Sequence, residues 1–461
     1  MFSTNCQFLE NELLDVARLF RKRPNEITHS FRFEEGVFYN SFIVDNESFS
    51  FEDRGQVQDE LEYKRLERRF AKLALYKILA KKYGQSMPWG ALTGIRPTKL
   101  AYAEMEKTGD FEPLFRQMGV QEENIRLVKE ILSAQKGIYE KKEENVDLFV
   151  SIPFCPTKCA YCSFITAPIE KTRSFLPAYL DALEKELLAA KESIGALRSV
   201  YVGGGTPFAI ERADLERVLK SIAPVYENSG VEYTVEAGRP DVFTEEKLQL
   251  LQDYGVNRIC INPQSFSDDT LQKIGRKHTV ADIYKAFEMT KKYGFSVNVD
   301  LIAGLADEDV DTFENSVRAA IETDADNITV HCLSLKSGAK LKEELQTEEG
   351  AYLEIDCISD MITLSRTLLS ESGYVPYYMY RQKYQVGNNE NVGWTKTGKA
   401  CVYNIDIMEE TTNNFAVGAN AVSKRVDNTK GLITRCASQK DLKTYIENVD
   451  VIIEKRRNFF K

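Results

Sequence analysis

The segment Ser151-Ile-Pro-Phe-Cys155-Pro-Thr-Lys-Cys159-Ala-Tyr-Cys162 sets three thiols in a C-x3-C-x2-C spacing directly after an apolar run. Three cysteines this close ligate three irons of a [4Fe–4S] cube and leave the fourth iron without a protein ligand, open to a substrate. A three-ligand zinc site would want a fourth Cys or His nearby, and no His lies between Cys155 and His278. The remaining alternative is a set of buried structural cysteines. A second chemical loop follows about forty residues on, Gly203-Gly-Gly-Thr206-Pro207. Its three glycines let a backbone come close to a ligand, and their N–H groups suit an anionic or zwitterionic group. Alone it would read equally as an ordinary strand-to-helix turn. Two such loops after neighbouring strands point to one shared pocket.

Further polar residues extend the pattern: Glu236 closes the third expected strand, Gln264 and Ser265 follow the fourth, Arg276 opens the next helical region and Asp300 lies in Asn298-Val-Asp-Leu-Ile-Ala-Gly304. Each alone suits a solvated or capping role. Together they form a polar rim, in which carboxylates match ribose hydroxyls or an ammonium and an Arg matches a carboxylate through its two-pronged guanidinium.

The elements that would hold this rim alternate from Val146 onward. Short apolar strands are expected at Leu148–Pro153, Ser199–Val202, Glu232–Glu236, Arg258–Ile261, Ser296–Ile302 and Asn327–Val330. Helical stretches lie between them at Phe175–Lys191, Arg212–Ala223, Glu245–Tyr254, Tyr284–Tyr293 and Asp311–Glu322. Six β-α units imply an α/β fold, a parallel sheet with right-handed crossovers curled as a partial (β/α)6 barrel of the TIM type. Chemistry in such barrels sits at the C-terminal ends of the strands, and the cysteine loop follows the first of them.

Residues 1–145 read as a separate α+β domain: Phe31 to Phe51 alternates aromatic and polar residues as hairpins do, and Leu66, Phe70 and Leu73 keep helical spacing. The charged run Glu140-Lys-Lys-Glu-Glu-Asn145 is the expected linker to the barrel core, residues 146–373. Residues 374–461 are expected as a mainly helical appendage closing one side of the barrel, with an aromatic cluster at Tyr377–Tyr380, a Gly/Asn-rich loop at Gly387–Trp394 and a last helix near Leu442–Lys455.

Composition narrows the function classes. In 461 residues, 60 Lys and Arg are outnumbered by 70 Asp and Glu, for a net charge of −10, which argues against a nucleic-acid surface. The first residues, with Glu10, Glu12 and Asp15, lack a basic, apolar leader, and no apolar run approaches a membrane span, so a cytosolic location without membrane insertion is expected. Nine cysteines do not suggest a disulfide framework there, and the six outside the motif are widely scattered.

Taken jointly, Cys155-x3-Cys159-x-Tyr161-Cys162, Gly203–Pro207, Glu236, Gln264-Ser265-Phe266, Ile274-Gly-Arg-Lys-His278 and Asp300-Leu-Ile-Ala-Gly304 resemble the radical S-adenosylmethionine (SAM) superfamily, most closely its oxygen-independent coproporphyrinogen III oxidase branch. Asn262-Pro-Gln-Ser265, Pro88-Trp-Gly-Ala-Leu-Thr-Gly-Ile-Arg-Pro97, Tyr380-Arg-Gln-Lys383 and Asn391-Val-Gly-Trp394 look like the HemZ-type coproporphyrinogen dehydrogenases. The resemblance implies one [4Fe–4S] cluster per chain on Cys155, Cys159 and Cys162, with SAM on its open iron and a second SAM in some members of the branch. It implies that Gly203, Gly204, Gly205 and Thr206 lie against the methionine end, that Tyr161 packs near the adenine, and that Glu236, Gln264, Arg276 and Asp300 hold SAM. A flavodoxin or ferredoxin would donate the electron. The substrate implied is a tetrapyrrole: a 5′-deoxyadenosyl radical takes a hydrogen from a propionate of coproporphyrinogen III, and loss of CO2 and an electron leaves a vinyl group, in the pathway to haem. Two alternatives keep the cluster, a haem-binding chaperone and an anaerobic haem-modifying radical methyltransferase.

Departures from the family pattern bear on the substrate and not on the cluster. The oxidases carry a Tyr six residues before the first cysteine and a fourth Cys two after the third; here these are Phe149 and Phe164. The chaperones' His-Asn-x-x-Tyr-Trp is replaced by Tyr403-Asn404-Ile-Asp-Ile-Met408. His331, at a strand end, is either an axial haem ligand or a satisfied structural residue. The Tyr377–Tyr380 cluster and Arg381 either face a tetrapyrrole and its carboxylates or seal the barrel edge. No role attaches to Trp89 or Arg96.

Overall fold

The computed structural model describes all residues except Arg21, Ile95, Ser163, Ile165, Asn228, Ala306, 335–354 and 383–388, and the side chains of Ile355 and Asp356. Lys383 and the start of the loop expected from Gly387 therefore lie outside the described residues. The chain divides into two compact units, one of residues 1–129 with 381–389, the other of 130–380 with 390–461. The expected linker, residues 140–145, leads into the first strand of the second unit.

The first unit is a four-stranded sheet of β1 (Phe2–Thr4), β2 (Ile27–Glu34), β3 (Val37–Val44) and β4 (Glu47–Arg54), in that order. Both hairpins turn on two residues of positive φ, Glu35-Gly36 and Asp45-Asn46, whose left-handed geometry matches the twist of the strands they join. The helix Glu60–Tyr83 begins at Asp59, whose carboxylate accepts from Glu62 N at 2.7 Å, and ends at Gly84 with φ 63°. Leu66 and Phe70, one helical turn apart, close over Phe38 as the spacing predicts. Trp89 is fully buried beneath the Arg381 guanidinium, which also donates to Leu92 O at 2.5 Å. That use of Arg381 is structural, and it gives the Pro88–Pro97 motif a packing role within this unit.

The second unit is built on β5 (Asn145–Ile152), β6 (Phe154–Cys155), β7 (Ala167–Pro168), β8 (Ala196–Gly204), β9 (Glu232–Gly238), β10 (Arg258–Gln264), β11 (Ser296–Ala303) and β12 (Asn327–Cys332), then β13 (Val375–Tyr380), β14 (Asn391–Thr395), β15 (Asn413–Val417), β16 (Val422–Asp427) and β17 (Leu432–Ala437). The six expected strands are β5 and β8 to β12, all parallel and adjacent in chain order, with helices between successive strands. One set of alternate residues, including Leu148, Val150, Val200, Val202, Val235, Ile259, Val299, Leu301 and Ile328, is apolar and buried. The other set is polar or aromatic. At its lower level Arg258 bridges Glu232 at 3.1 Å and Asn298 at 2.8 Å, which satisfies charges that burial would otherwise penalise.

Residues 374–461 carry more strand than a mainly helical appendage. β13 and β14 run antiparallel beyond β12, while β15 lies parallel to β5 at the other side and carries β16 and β17. The cause is visible in Val375-Pro-Tyr-Tyr-Met-Tyr380 and Asn391-Val-Gly-Trp-Thr395, rich in the β-branched and aromatic residues that fit a pleated surface. The expected last helix is two, Leu442–Glu447 and Val449–Phe460, meeting at Asn448. Among the described residues no helix is long and apolar enough to cross a membrane.

Candidate active site

The cysteine loop springs from the C-terminal end of β5. β6 and β7 pair across its base, Phe154 with Ala167 and Cys155 with Pro168, so the loop leaves and returns at one point. Within it Cys162 N donates to Cys159 O at 3.1 Å, a tight turn between the last two cysteines. Ala160 N donates to Ile274 O at 3.0 Å, and the Arg276 guanidinium donates to Tyr161 Oη at 2.9 Å and to Asn262 O. The Gly-rich loop borders it, with Thr206 Oγ1 at 3.7 Å from Cys155 Sγ. Burial pushes the Cys155 thiol up to about 11, the Thr206 hydroxyl opposing and Cys162 and Cys159 adding their charges. The free Cys155 thiol is thus protonated at neutral pH, and loading iron on it releases a proton. No three His, Cys, Asp or Glu side chains among the described residues converge as ligands of one ion would. A cube asks for a different arrangement, one thiolate per iron.

The Gly203–Gly205 loop differs from expectation in one respect. Its N–H groups do not form an open nest: Gly204 N donates to Glu236 Oε2 at 3.3 Å, Gly205 N to Ile152 O at 2.8 Å and Thr206 N to Phe154 O at 2.7 Å. What the glycines provide is room. A Cβ at Gly203 would lie 2.7 Å from Glu236 Oε2, and one at Gly205 2.6 Å from Phe154 O.

Glu236, at the end of β9, accepts from Tyr201 Oη at 2.6 Å. Burial pushes its carboxyl up to about 7, with the Tyr201 hydrogen bond opposing and the Asp300 charge adding. Tyr201 in turn stacks on Tyr403, centroids 4.4 Å apart, and Phe149 lies parallel to both. Phe149 therefore belongs to an aromatic wall inside the sheet's polar face, whereas Phe164 is 68% exposed. Gln264 ends β10 at φ 74°, a left-handed backbone that a non-glycine residue adopts at a cost of about 1–3 kcal/mol, beside two register shifts in that strand. Asp300 on β11 lies 3.6 Å from His331 Nε2, and His331 Nδ1 meets Tyr380 Oη at 2.9 Å. Ser265 is drawn away from the rim: its hydroxyl donates to Glu308 at 2.7 Å behind the strand end.

The aromatic cluster divides by role. Tyr377 and Tyr378 are buried and seal the edge, the first bonded to Asn404 at 3.0 Å and the second to Thr329 at 3.2 Å, while only the Tyr380 hydroxyl reaches His331. Residue reasoning missed Tyr201 and Arg239. Tyr201 was findable, since it stands two residues before Gly203 and so shares its face of β8.

A family model of the radical SAM superfamily matches residues 149–320. The oxygen-independent coproporphyrinogen-III oxidase-like protein HemZ of Bacillus subtilis is 38% identical over 384 residues, which are 80% of this chain and 76% of that protein. The chain belongs to the HemZ-like branch of the radical SAM superfamily. This HemZ-like chain is also 35% identical to the heme chaperone HemW of B. subtilis over 190 residues, 40% of the chain and 49% of that protein, about half its length. For the heme chaperone HemW of Haemophilus influenzae the identity is 27%, over 67% of the chain and 78% of that protein. Among solved structures, the coproporphyrinogen III oxidase HemN of Escherichia coli, a radical SAM enzyme, aligns at TM-score 0.55 and 21% identity over 69% of this chain and 72% of its own, a likeness of fold.

A radical SAM protein uses a [4Fe–4S] cluster and SAM, and these are the cofactors of the HemZ-like chain. Its residues fit them. Three thiols share one loop, the glycines let the second loop pack closely against Glu236 and the start of the first, and buried Arg276 Nε and Asn262 Oδ1, without a hydrogen-bond partner among the described residues, suit a polar ligand.

Proposed function

We propose that the chain oxidatively decarboxylates propionate groups of coproporphyrinogen III to vinyl groups, giving protoporphyrinogen IX. In this reading Cys155, Cys159 and Cys162 hold the cluster, and Tyr161, Gly203, Gly204, Gly205, Thr206, Glu236, Gln264, Arg276 and Asp300 hold SAM. The observation that supports it is the contact of the cysteine loop with Arg276, at 2.9 Å from Tyr161 Oη, and with Thr206, at 3.7 Å from Cys155 Sγ, beside a Glu236 carboxylate bonded to Tyr201 of the aromatic wall. When bound, cluster and SAM supply a carbon radical that can take a hydrogen atom from an unactivated C–H bond. The chain's residues bind and orient. The close packing of Gly203–Gly205 against Glu236, Ile152 and Phe154 fixes the edge against which the methionine end would lie, and Glu236 accepts from an ammonium or a ribose hydroxyl. Phe149, Tyr201 and Tyr403 give a flat, water-excluding wall for a ring system. A flavodoxin- or ferredoxin-type donor would supply the electron.

The test is anaerobic incubation of reconstituted, reduced protein with SAM and coproporphyrinogen III, read by mass spectrometry. The expected result is two successive losses, each of CO2 and two hydrogens, with matching 5′-deoxyadenosine. Unchanged porphyrinogen beside 5′-deoxyadenosine would overturn the oxidase reading and leave the radical chemistry standing.

A second reading, a haem-binding chaperone, is supported by the HemW likeness and by His331. Its Nε2 stands 3.6 Å from Asp300, beyond hydrogen-bond distance, while Nδ1 is held by Tyr380. That reading predicts stoichiometric haem binding, with an absorbance spectrum altered in His331→Ala and no vinyl product.

Glu236 gives the assignment a pH signature. Its folded carboxyl titrates near 7, above the ordinary 4.5, so its contribution to stability is full below about 4.5 and declines as pH rises to about 7. SAM binding runs the other way, because the ionised carboxylate is the better acceptor. Affinity for SAM is expected to rise between pH 6 and 8. In Glu236→Gln it is expected to be about tenfold weaker and flat over that range, by calorimetric titration of the cluster-loaded protein. A wild-type affinity independent of pH would remove Glu236 from the pocket.

A further inference from the structure

Behind the cysteine loop lies a buried charged group that neither the cluster nor SAM needs as a ligand. Arg239 follows β9 in Gly238-Arg239-Pro240-Asp241 and is 3% exposed. Its Nε and Nη2 donate to the two carboxylate oxygens of Asp241 at 2.9 and 2.7 Å, a fork-to-fork pair. The remaining nitrogen, Nη1, donates to Thr157 Oγ1 at 2.5 Å. Thr157 lies in the loop between Cys155 and Cys159, 82 positions away in the chain. On the other side of Asp241 stands buried His278, 2% exposed, with Nδ1 at 3.6 Å from Asp241 Oδ1 and neither ring nitrogen hydrogen-bonded among the described residues. The ion pair is therefore backed by a buried ring and shielded from water, and the remaining nitrogen of the guanidinium grips the loop.

We infer that Arg239 is a positioning residue for the cysteine loop, held by Asp241, which His278 backs, and gripping Thr157, so that the loop is set for its cluster before iron arrives. The inference rests on Cys155, Cys159 and Cys162 being the cluster ligands. The loop has two other anchors, Ala160 N on Ile274 O and Tyr161 on Arg276, both on the side of β10 and the segment after it. Arg239 supplies an anchor between the first two thiols. Without it the stretch from Pro156 to Lys158 would sample more conformations, and each must be given up again when iron binds. The charge of Arg239 is already neutralised by Asp241, so geometry and not charge is what the loop receives. Lysine keeps the charge and loses the fork, which makes Arg239→Lys a non-conservative change here.

The experiment compares the wild type with Arg239→Lys, Thr157→Val and the double variant, all as full chains. In iron-free protein, the rate of iodoacetamide alkylation is read cysteine by cysteine by mass spectrometry. Each sample is then loaded anaerobically with ferrous iron and sulfide, and iron content and the cluster's reduction potential are measured. Both single variants are expected to alkylate about three- to tenfold faster at Cys155, Cys159 and Cys162, with buried Cys260 and Cys401 unchanged, to load less iron and to shift the potential. The double variant should be no worse than Arg239→Lys alone, because both changes break one contact. Wild-type rates and iron content in Thr157→Val would overturn the inference, and so would faster alkylation spread over Cys260 and Cys401, the mark of general loosening. A wild type that takes up no iron would refute the cluster ligands instead, while the alkylation rates would still report on the grip.

Discussion

Replacing any one of Cys155, Cys159 or Cys162 with Ala is expected to take the reconstituted protein from about four irons per chain to near none, and 5′-deoxyadenosine formation to background. Cys357→Ala, by contrast, should keep both. Each thiolate serves one iron, and with two left a second iron is exposed to solvent and the cube is no longer retained. The burial that raises the Cys155 thiol to about 11 acts in the same direction. The iron–thiolate bond must offset the cost of deprotonating Cys155 in that setting, which makes retention of the cluster depend on the full ligand set. Iron and sulfide analysis with visible absorbance reads the result. An intact cluster in all three variants would sink the assignment.

Gly205→Ala should have the second-largest effect, and it acts without touching a ligand. The new Cβ would lie 2.6 Å from Phe154 O and 2.8 Å from Ile152 O, both backbone atoms that cannot swing aside. Relief requires moving the strand that delivers Cys155. The expected cost is about 1–3 kcal/mol, seen as a fall of several degrees in the first unfolding transition, together with loss of most of the iron on reconstitution. Gly94→Ala, where a Cβ meets nothing within 4 Å, is the control and should change neither. Normal iron content in Gly205→Ala would show that the close approach of the two loops does not set the cysteine geometry.

The parallel core was legible because its signals are local. Each of β5 and β8 to β12 is a short run with apolar residues at alternate positions, followed by a helix, and such runs need no knowledge of their partners to be recognised. The cysteine loop was legible for the same reason, its three thiols lying within eight positions. The rim residues could be placed at strand ends but not joined. Tyr201 to Glu236 and Arg239 to Thr157 are contacts across 35 and 82 positions that no local pattern announces. The glycine loop shows the converse limit. Its residue types correctly marked a close backbone approach, yet which N–H groups remained free depended on Ile152, Phe154 and Glu236, supplied by other strands. Strand content after residue 374 was hidden because β15 takes its parallel partner from β5, with Phe415 opposite Leu148. The aromatic run Tyr377–Tyr380 supported two roles equally until burial separated Tyr377 and Tyr378, which seal the edge, from Tyr380, which reaches His331.

The central claim is that three thiols hold a cube whose remaining iron takes SAM at the rim of this sheet. Electron paramagnetic resonance of the dithionite-reduced protein, recorded before and after SAM is added, tests it most directly. The account predicts a reduced-cluster signal that changes shape on addition of SAM, and a change that is weakened in Glu236→Gln. A reduced-cluster signal that is identical with and without saturating SAM would contradict it.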